Sequence, residues 1–130
     1  MATWEDVSRL ALALPRSEEH VRRDQRRWLV NDRLFVWERP LRAKEIATVA
    51  DDMHDGPILG ARVEHLGAKQ ALLADDPRVF FTTPHFENTA AILLRVDRIS
   101  VADLEEVLVE AWLARATSTL VKAYLASRDG

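Results

Sequence analysis

A histidine flanked by hydroxyls and a carboxylate is the first place in this 130-residue chain where chemistry could reside. His85 follows Pro84, with Thr82 and Thr83 before it and Glu87 after it. A hydroxyl, an imidazole and a carboxylate are the parts of a nucleophile, its base and an orienting group. The strand–turn–helix nucleophile elbow that usually presents such a hydroxyl is absent. The simpler reading of Thr83-Pro84-His85 is a structured turn whose ring bonds to backbone. Thr83, His85 and Phe86 therefore stand as a candidate ligand-binding group, and no residue is assigned as catalytic.

Metal chemistry finds little support. His20, His54, His65 and His85 never stand four residues apart, and no HExxH pattern occurs. Asp51, Asp52, His54 and Asp55 could together take a hard or borderline cation, but acid-rich surface loops read the same way. No metal site and no cofactor is assigned. The chain has no cysteine, which removes disulfides, thiolate catalysis and Cys-type metal sites.

Arginine supplies the stronger pattern. Residues 16–44 hold nine basic side chains (Arg16, Arg22, Arg23, Arg26, Arg27, Arg33, Arg39, Arg42, Lys44) against five acids. Residues 45–130 hold eight basic and fourteen acidic residues. The net charge of −3 argues against a general nucleic-acid binder, whereas its distribution leaves a basic N-terminal half. Arg22, Arg23, Arg26, Arg27, Trp28, Arg33 and Arg39 form a candidate nucleic-acid interface. Guanidinium groups would meet phosphates, and Trp28 or Trp37 would stack on unpaired bases. The competing reading is a solvated edge with its aromatics packed inward, since no glycine-rich or helix-terminal phosphate cradle lies beside these arginines. Trp112 and Arg115, three apart on one helix, read as structural.

The elements that position these residues follow from periodicity. Thr3 with Asp6 approximates a capping box, and Val7, Leu10, Ala11 and Leu14 repeat at helical spacing until Pro15. Residues 16–25 are polar and read as a loop. Arg27–Val30 and Leu34–Trp37 are β-rich runs around Asn31-Asp32, which predicts a hairpin. Alternation puts Arg27, Leu29 and Asn31 on one face and Arg26, Trp28 and Val30 on the other. Residues 41–55 read either as a short helix or as a strand-to-strand excursion. Strands are expected at 56–63, 79–83 and 90–96, with a short helix over 67–74. Ser100 and Asp103 cap a long helix carrying Leu104, Val107, Leu108, Ala111 and Trp112, and a break at Thr117-Ser118 precedes a terminal helix. The whole of 1–130 reads as one α+β domain. Its expected form is a two-layer sandwich, α-β-β-β-α-β-β-α, with a five-stranded antiparallel sheet and helices packed on one face.

Longer stretches carry a family resemblance. They are Gly56-Pro57-Ile58-Leu59-Gly60-Ala61-Arg62-Val63, Ala71 through Phe86 with Phe80-Phe81-Thr82-Thr83-Pro84-His85-Phe86 at its centre, and Ile92 through Val96 followed by Leu104-Glu105-Glu106 and Glu110-Ala111-Trp112. The head, Leu12-Ala13-Leu14-Pro15 followed by Glu18-Glu19, agrees. Together they resemble the MmcQ/YjbR family of small bacterial proteins, over nearly the whole chain. The resemblance implies a fold similar to the frataxin-like and secretion-chaperone-like arrangements, and DNA binding through an open sheet face. Two departures are Ala116-Thr117, where many members have Ala-Pro, and Glu87-Asn88-Thr89, where others have Asp-Gly-Tyr.

The expectation is thus a non-catalytic, cytoplasmic DNA-binding protein that uses a basic hairpin on the open sheet face. The N-terminus lacks the pattern of a signal peptide, and no apolar run is long enough to span a membrane. The alternative is a protein- or small-ligand-binding domain, as a monomer or a homodimer, with no nucleic-acid role.

Overall fold

The computed structural model describes residues 1–49 and 56–129. Asp51, Asp52, His54 and Asp55 lie outside the described residues. Helix α1 (Trp4–Leu12) starts at Thr3, whose Oγ1 accepts the Asp6 N–H at 3.2 Å while the Asp6 carboxylate accepts the Thr3 N–H at 3.0 Å. Two hairpins follow, formed by β1 (Ser17–Arg22), β2 (Gln25–Val30) and β3 (Arg33–Glu38). Both have two-residue turns with left-handed backbone, φ 53° and 64° at Arg23 and Asp24 and φ 51° and 63° at Asn31 and Asp32. That conformation matches the right-handed twist of the strands it joins. A one-turn helix α2 (Ala43–Ile46) precedes β4 (Ile58–Arg62) and α3 (Leu66–Asp75). Then come β5 (Phe80–Phe81), a 3₁₀ turn over Pro84–Phe86, β6 (Ala91–Arg95), α4 (Val101–Arg115) and α5 (Ser118–Asp129).

The sheet has six strands, not five, in the order β1-β2-β3-β4-β6-β5, and every neighbouring pair is antiparallel. The added strand is β1, expected above to be loop. It is an edge strand, exposed along nearly its whole length, so no apolar alternation marks it. Backbone pairing with β2 and the Arg23-Asp24 turn define it instead.

Helices α1, α3 and α4 pack on one face of the sheet. Trp28, Val30, Phe35, Val36, Leu59, Ala61, Ile92 and Leu94 meet Val7, Leu104, Leu108 and Trp112 there. Trp28 pairs with Val36 while Leu29 pairs with Leu34, which leaves Phe35 as the extra residue of a β-bulge. The bulge turns two consecutive residues, Phe35 and Val36, into the core. Trp112 is fully buried, as its place on the apolar stripe of α4 predicts, and donates its indole N–H to the Pro15 carbonyl at 3.0 Å.

The second face is half covered. Ile58, Phe81, Phe86, Ala91 and Leu93 form a separate small core with Trp37, Leu41 and Val49. The segment after β3 and the Pro84–Phe86 turn thus lie over β4, β6 and β5 and reach β3 at Trp37, while no element among the described residues packs over β1 and β2 on that side. Among the described residues no helix is long and apolar enough to cross a membrane.

Candidate functional site

The uncovered half-face is built from strand alternation. Its residues are Glu18, His20 and Arg22 on β1, Gln25, Arg27 and Leu29 on β2, Leu34 and Trp37 on β3, and Arg62 at the end of β4. His20 stands opposite Arg27, Arg27 opposite Trp37, and Trp37 opposite Gly60. One ladder row thereby sets an imidazole, a guanidinium and an indole side by side. Gly60 is essential to the row, because a Cβ there would meet the Trp37 ring at 2.4 Å. The indole therefore lies against bare backbone. Its ring is 6.3 Å from Phe86, and the Arg62 guanidinium sits 5.4 Å from its centroid.

The charges on this face divide by whether a carboxylate is in reach. The side chains of Arg22, Arg23 and Arg27 have no hydrogen-bond or ion-pair partner among the described residues. Arg62 keeps only its ring contact, and its Nε has no acceptor. Burial, with the Arg115 charge adding to it, lowers the Arg62 pKa from its ordinary value. On the same face, Glu18 contacts His20 at 3.4 Å.

Other predicted contacts lie elsewhere. Arg26 is on the helix side, as alternation with Trp28 requires. Its Nε donates to Glu38 at 2.9 Å, and its guanidinium lies 5.5 Å from the Trp4 ring centroid. Trp28 is wholly buried, stacked on Trp4 at 6.5 Å, with its N–H donated to Glu19 at 2.7 Å, so it cannot reach a base. Arg33 also turns to the helix side and donates to the Arg115 carbonyl at 3.3 Å.

Arg39, Thr83 and Phe86 belong to a structural clamp. The Arg39 guanidinium donates two hydrogen bonds to the Glu45 carboxylate, at 3.0 and 2.9 Å. The Arg42 N–H donates to the same carboxylate at 2.9 Å and the Thr83 hydroxyl at 3.3 Å. Burial alone would raise the Glu45 pKa. The bonds from Arg42 and Arg39, the Arg39 charge and the Thr83 hydroxyl outweigh it and hold the carboxyl below its ordinary value. Arg39 also lies over the Phe86 ring at 5.3 Å. Thr83 and Phe86 are buried, which leaves His85 as the one exposed member of that predicted group. Its ring meets Phe86 edge-on at 4.8 Å and makes no hydrogen bond to Thr82, Thr83 or Glu87.

Two further residues had no signature in the sequence. Lys69 of α3 is fully buried and donates its ammonium to the carbonyls of Phe86 and Thr89, so it anchors the turn that bears His85. Burial lowers its pKa, opposed by the charge of Glu87. Glu45 lay in the segment whose structure was ambiguous. A cavity of about 190 Å³ between α3 and α4 is lined by Val63, Leu72 and Val107 and by one guanidinium, Arg98, against the carboxylates of Asp75, Asp76, Asp103, Glu106 and Glu110, a balance of the wrong sign for a phosphate. Among the described residues no group of three His, Asp or Glu side chains gathers as a metal would require.

No protein-family model matches the chain. Curated proteins do, and two of them are each 45% identical over 130 residues, which cover 98% of both chains. These two are the uncharacterized protein Rv2570 of Mycobacterium tuberculosis and the uncharacterized protein Mb2600 of Mycobacterium bovis.

Proposed function

This chain belongs to the family of those mycobacterial proteins, and we propose that it is a non-catalytic, cytoplasmic nucleic-acid-binding module of the MmcQ/YjbR kind. The observation that carries this reading is the sorting of arginines. Arg26 and Arg39 are neutralised by carboxylates, whereas Arg22, Arg23, Arg27 and Arg62 keep their charge unpaired around one uncovered half-face. Unpaired guanidinium groups on a flat sheet are suited to phosphate oxygens, which they can meet with two donors each. The interface excludes Arg26, Trp28, Arg33 and Arg39, whose side chains are engaged elsewhere. It consists of Arg22, Arg23, Arg27 and Arg62, with Gln25 and Trp37 among them.

Leu29, Leu34 and Trp37, all partly exposed beside those arginines, favour a second reading: a protein partner or a second copy on the same face. Replacing Arg22, Arg23 and Arg27 together with alanine separates the two. The nucleic-acid reading expects the triple variant to fold normally and to bind labelled DNA of any sequence more weakly, with its salt dependence reduced by about one unit of slope per lost contact. Unchanged DNA affinity in the folded triple variant would remove the hairpin from the interface.

A further inference from the structure

We propose that the ligand of this face is single-stranded nucleic acid, with an unpaired base stacked on Trp37. This rests on the reading of the face as a nucleic-acid surface and adds which form of nucleic acid it takes.

The argument begins with the indole. Gly60 lets Trp37 lie against the sheet backbone, and Phe86 flanks it at 6.3 Å with the rings inclined by 40°. The ring is thus held in one orientation while remaining partly exposed. No other tryptophan can serve. Trp4 and Trp28 stack on each other on the helix side, and Trp112 is fully buried. Leu29 and Leu34 extend the partly exposed apolar floor beside the ring, with Arg27 directly across the ladder from it.

A duplex presents phosphates to a flat surface and keeps its base faces stacked inside, so Trp37, Leu29 and Leu34 would meet nothing. A single strand offers both of the chemistries present here, phosphates for Arg22, Arg27 and Arg62 and a base face for the indole. Arg62 stands over the ring at 5.4 Å with no acceptor for its Nε. When a base takes its place on the ring, the guanidinium moves outward to a backbone phosphate.

The test compares two fluorescein-labelled probes, a thymidine strand of about 15 nucleotides and a duplex of the same length, by anisotropy at about 50 mM salt. Wild type should bind the strand at least about tenfold more tightly than the duplex, with quenching of its tryptophan emission. Trp37→Leu should weaken strand binding roughly 5- to 150-fold, the range expected for one stacked base, and leave duplex binding unchanged. Trp37→Phe should restore most of the loss. Equal affinity for both probes, or unchanged strand binding by a folded Trp37→Leu protein, overturns the stacking inference while leaving the phosphate contacts intact. Should Trp37→Leu fail to fold, absence of tryptophan quenching in wild type saturated with the strand overturns it equally. Failure of wild type to bind either probe overturns this inference and the nucleic-acid reading together.

Discussion

Replacing Glu45 with alanine leaves the Arg39 guanidinium buried without its carboxylate, and removal of one partner from a buried ion pair costs about 3–5 kcal/mol. Urea unfolding of Glu45→Ala should show a loss of that order, with Arg39→Ala similar and the double variant less than additive. The same carboxyl sets a pH dependence. Its folded pKa lies below its ordinary value of 4.5, so its stabilisation is present above that value and is lost as pH falls through the folded pKa. Unfolding free energy should therefore decline below about pH 4.5, and Glu45→Gln should flatten that decline. A stability profile unchanged by Glu45→Gln would remove the clamp from the account. Sequence alone placed Arg39 among the candidate nucleic-acid contacts because composition cannot tell which arginine will find a carboxylate. Its partner lies six residues on, across Pro40, in the segment that read equally well as helix or excursion.

At the scale of elements, the two hairpin turns contrast. Asn31-Asp32 was legible because Asn and Asp tolerate left-handed backbone and the flanking runs alternate. Arg23-Asp24 was not, because an arginine occupies the first left-handed position and β1, which leads into it, is exposed along nearly its whole length. An arginine held there carries a conformational cost of roughly 1–2 kcal/mol, which glycine avoids. Arg23→Gly should thus raise the unfolding free energy by about 0.5–1 kcal/mol while weakening DNA binding, so that stability and affinity move in opposite directions. If the variant is stabilised and binds as before, the turn is not part of the interface. Strands β4, β5 and β6 and helix α4 were legible for the ordinary reason that their apolar runs and caps agree with burial. Gly60 was not: its role depends on Trp37 arriving from another strand. Gly60→Ala should displace the indole, shift its emission and cost about 1–3 kcal/mol.

For the whole molecule, charge follows the layers. The half-face of β1 to β3 carries arginines without partners, while Asp75, Glu106 and Glu110 line the α3–α4 cavity on the helix side. A net charge of −3 therefore coexists with one surface attractive to phosphate, and the acidic side favours a single docking orientation. The two-layer α+β architecture was legible from the order of elements, and the uncovered sheet face followed from counting helices. That half of this face would be closed by residues 39–49 and the Pro84–Phe86 turn was not, because the closure depends on the Arg39–Glu45–Thr83 bonds and on Lys69 reaching two carbonyls.

The most direct test of the central claim is the affinity of wild type for a labelled single strand, measured by anisotropy between about 50 and 200 mM salt. Three or four phosphate contacts predict a slope of log K against log salt near −2 to −3, a loss of roughly 20- to 50-fold over that range. Absence of binding at the lowest salt, or an affinity indifferent to salt, would contradict the account and leave this face to a protein partner or a second copy.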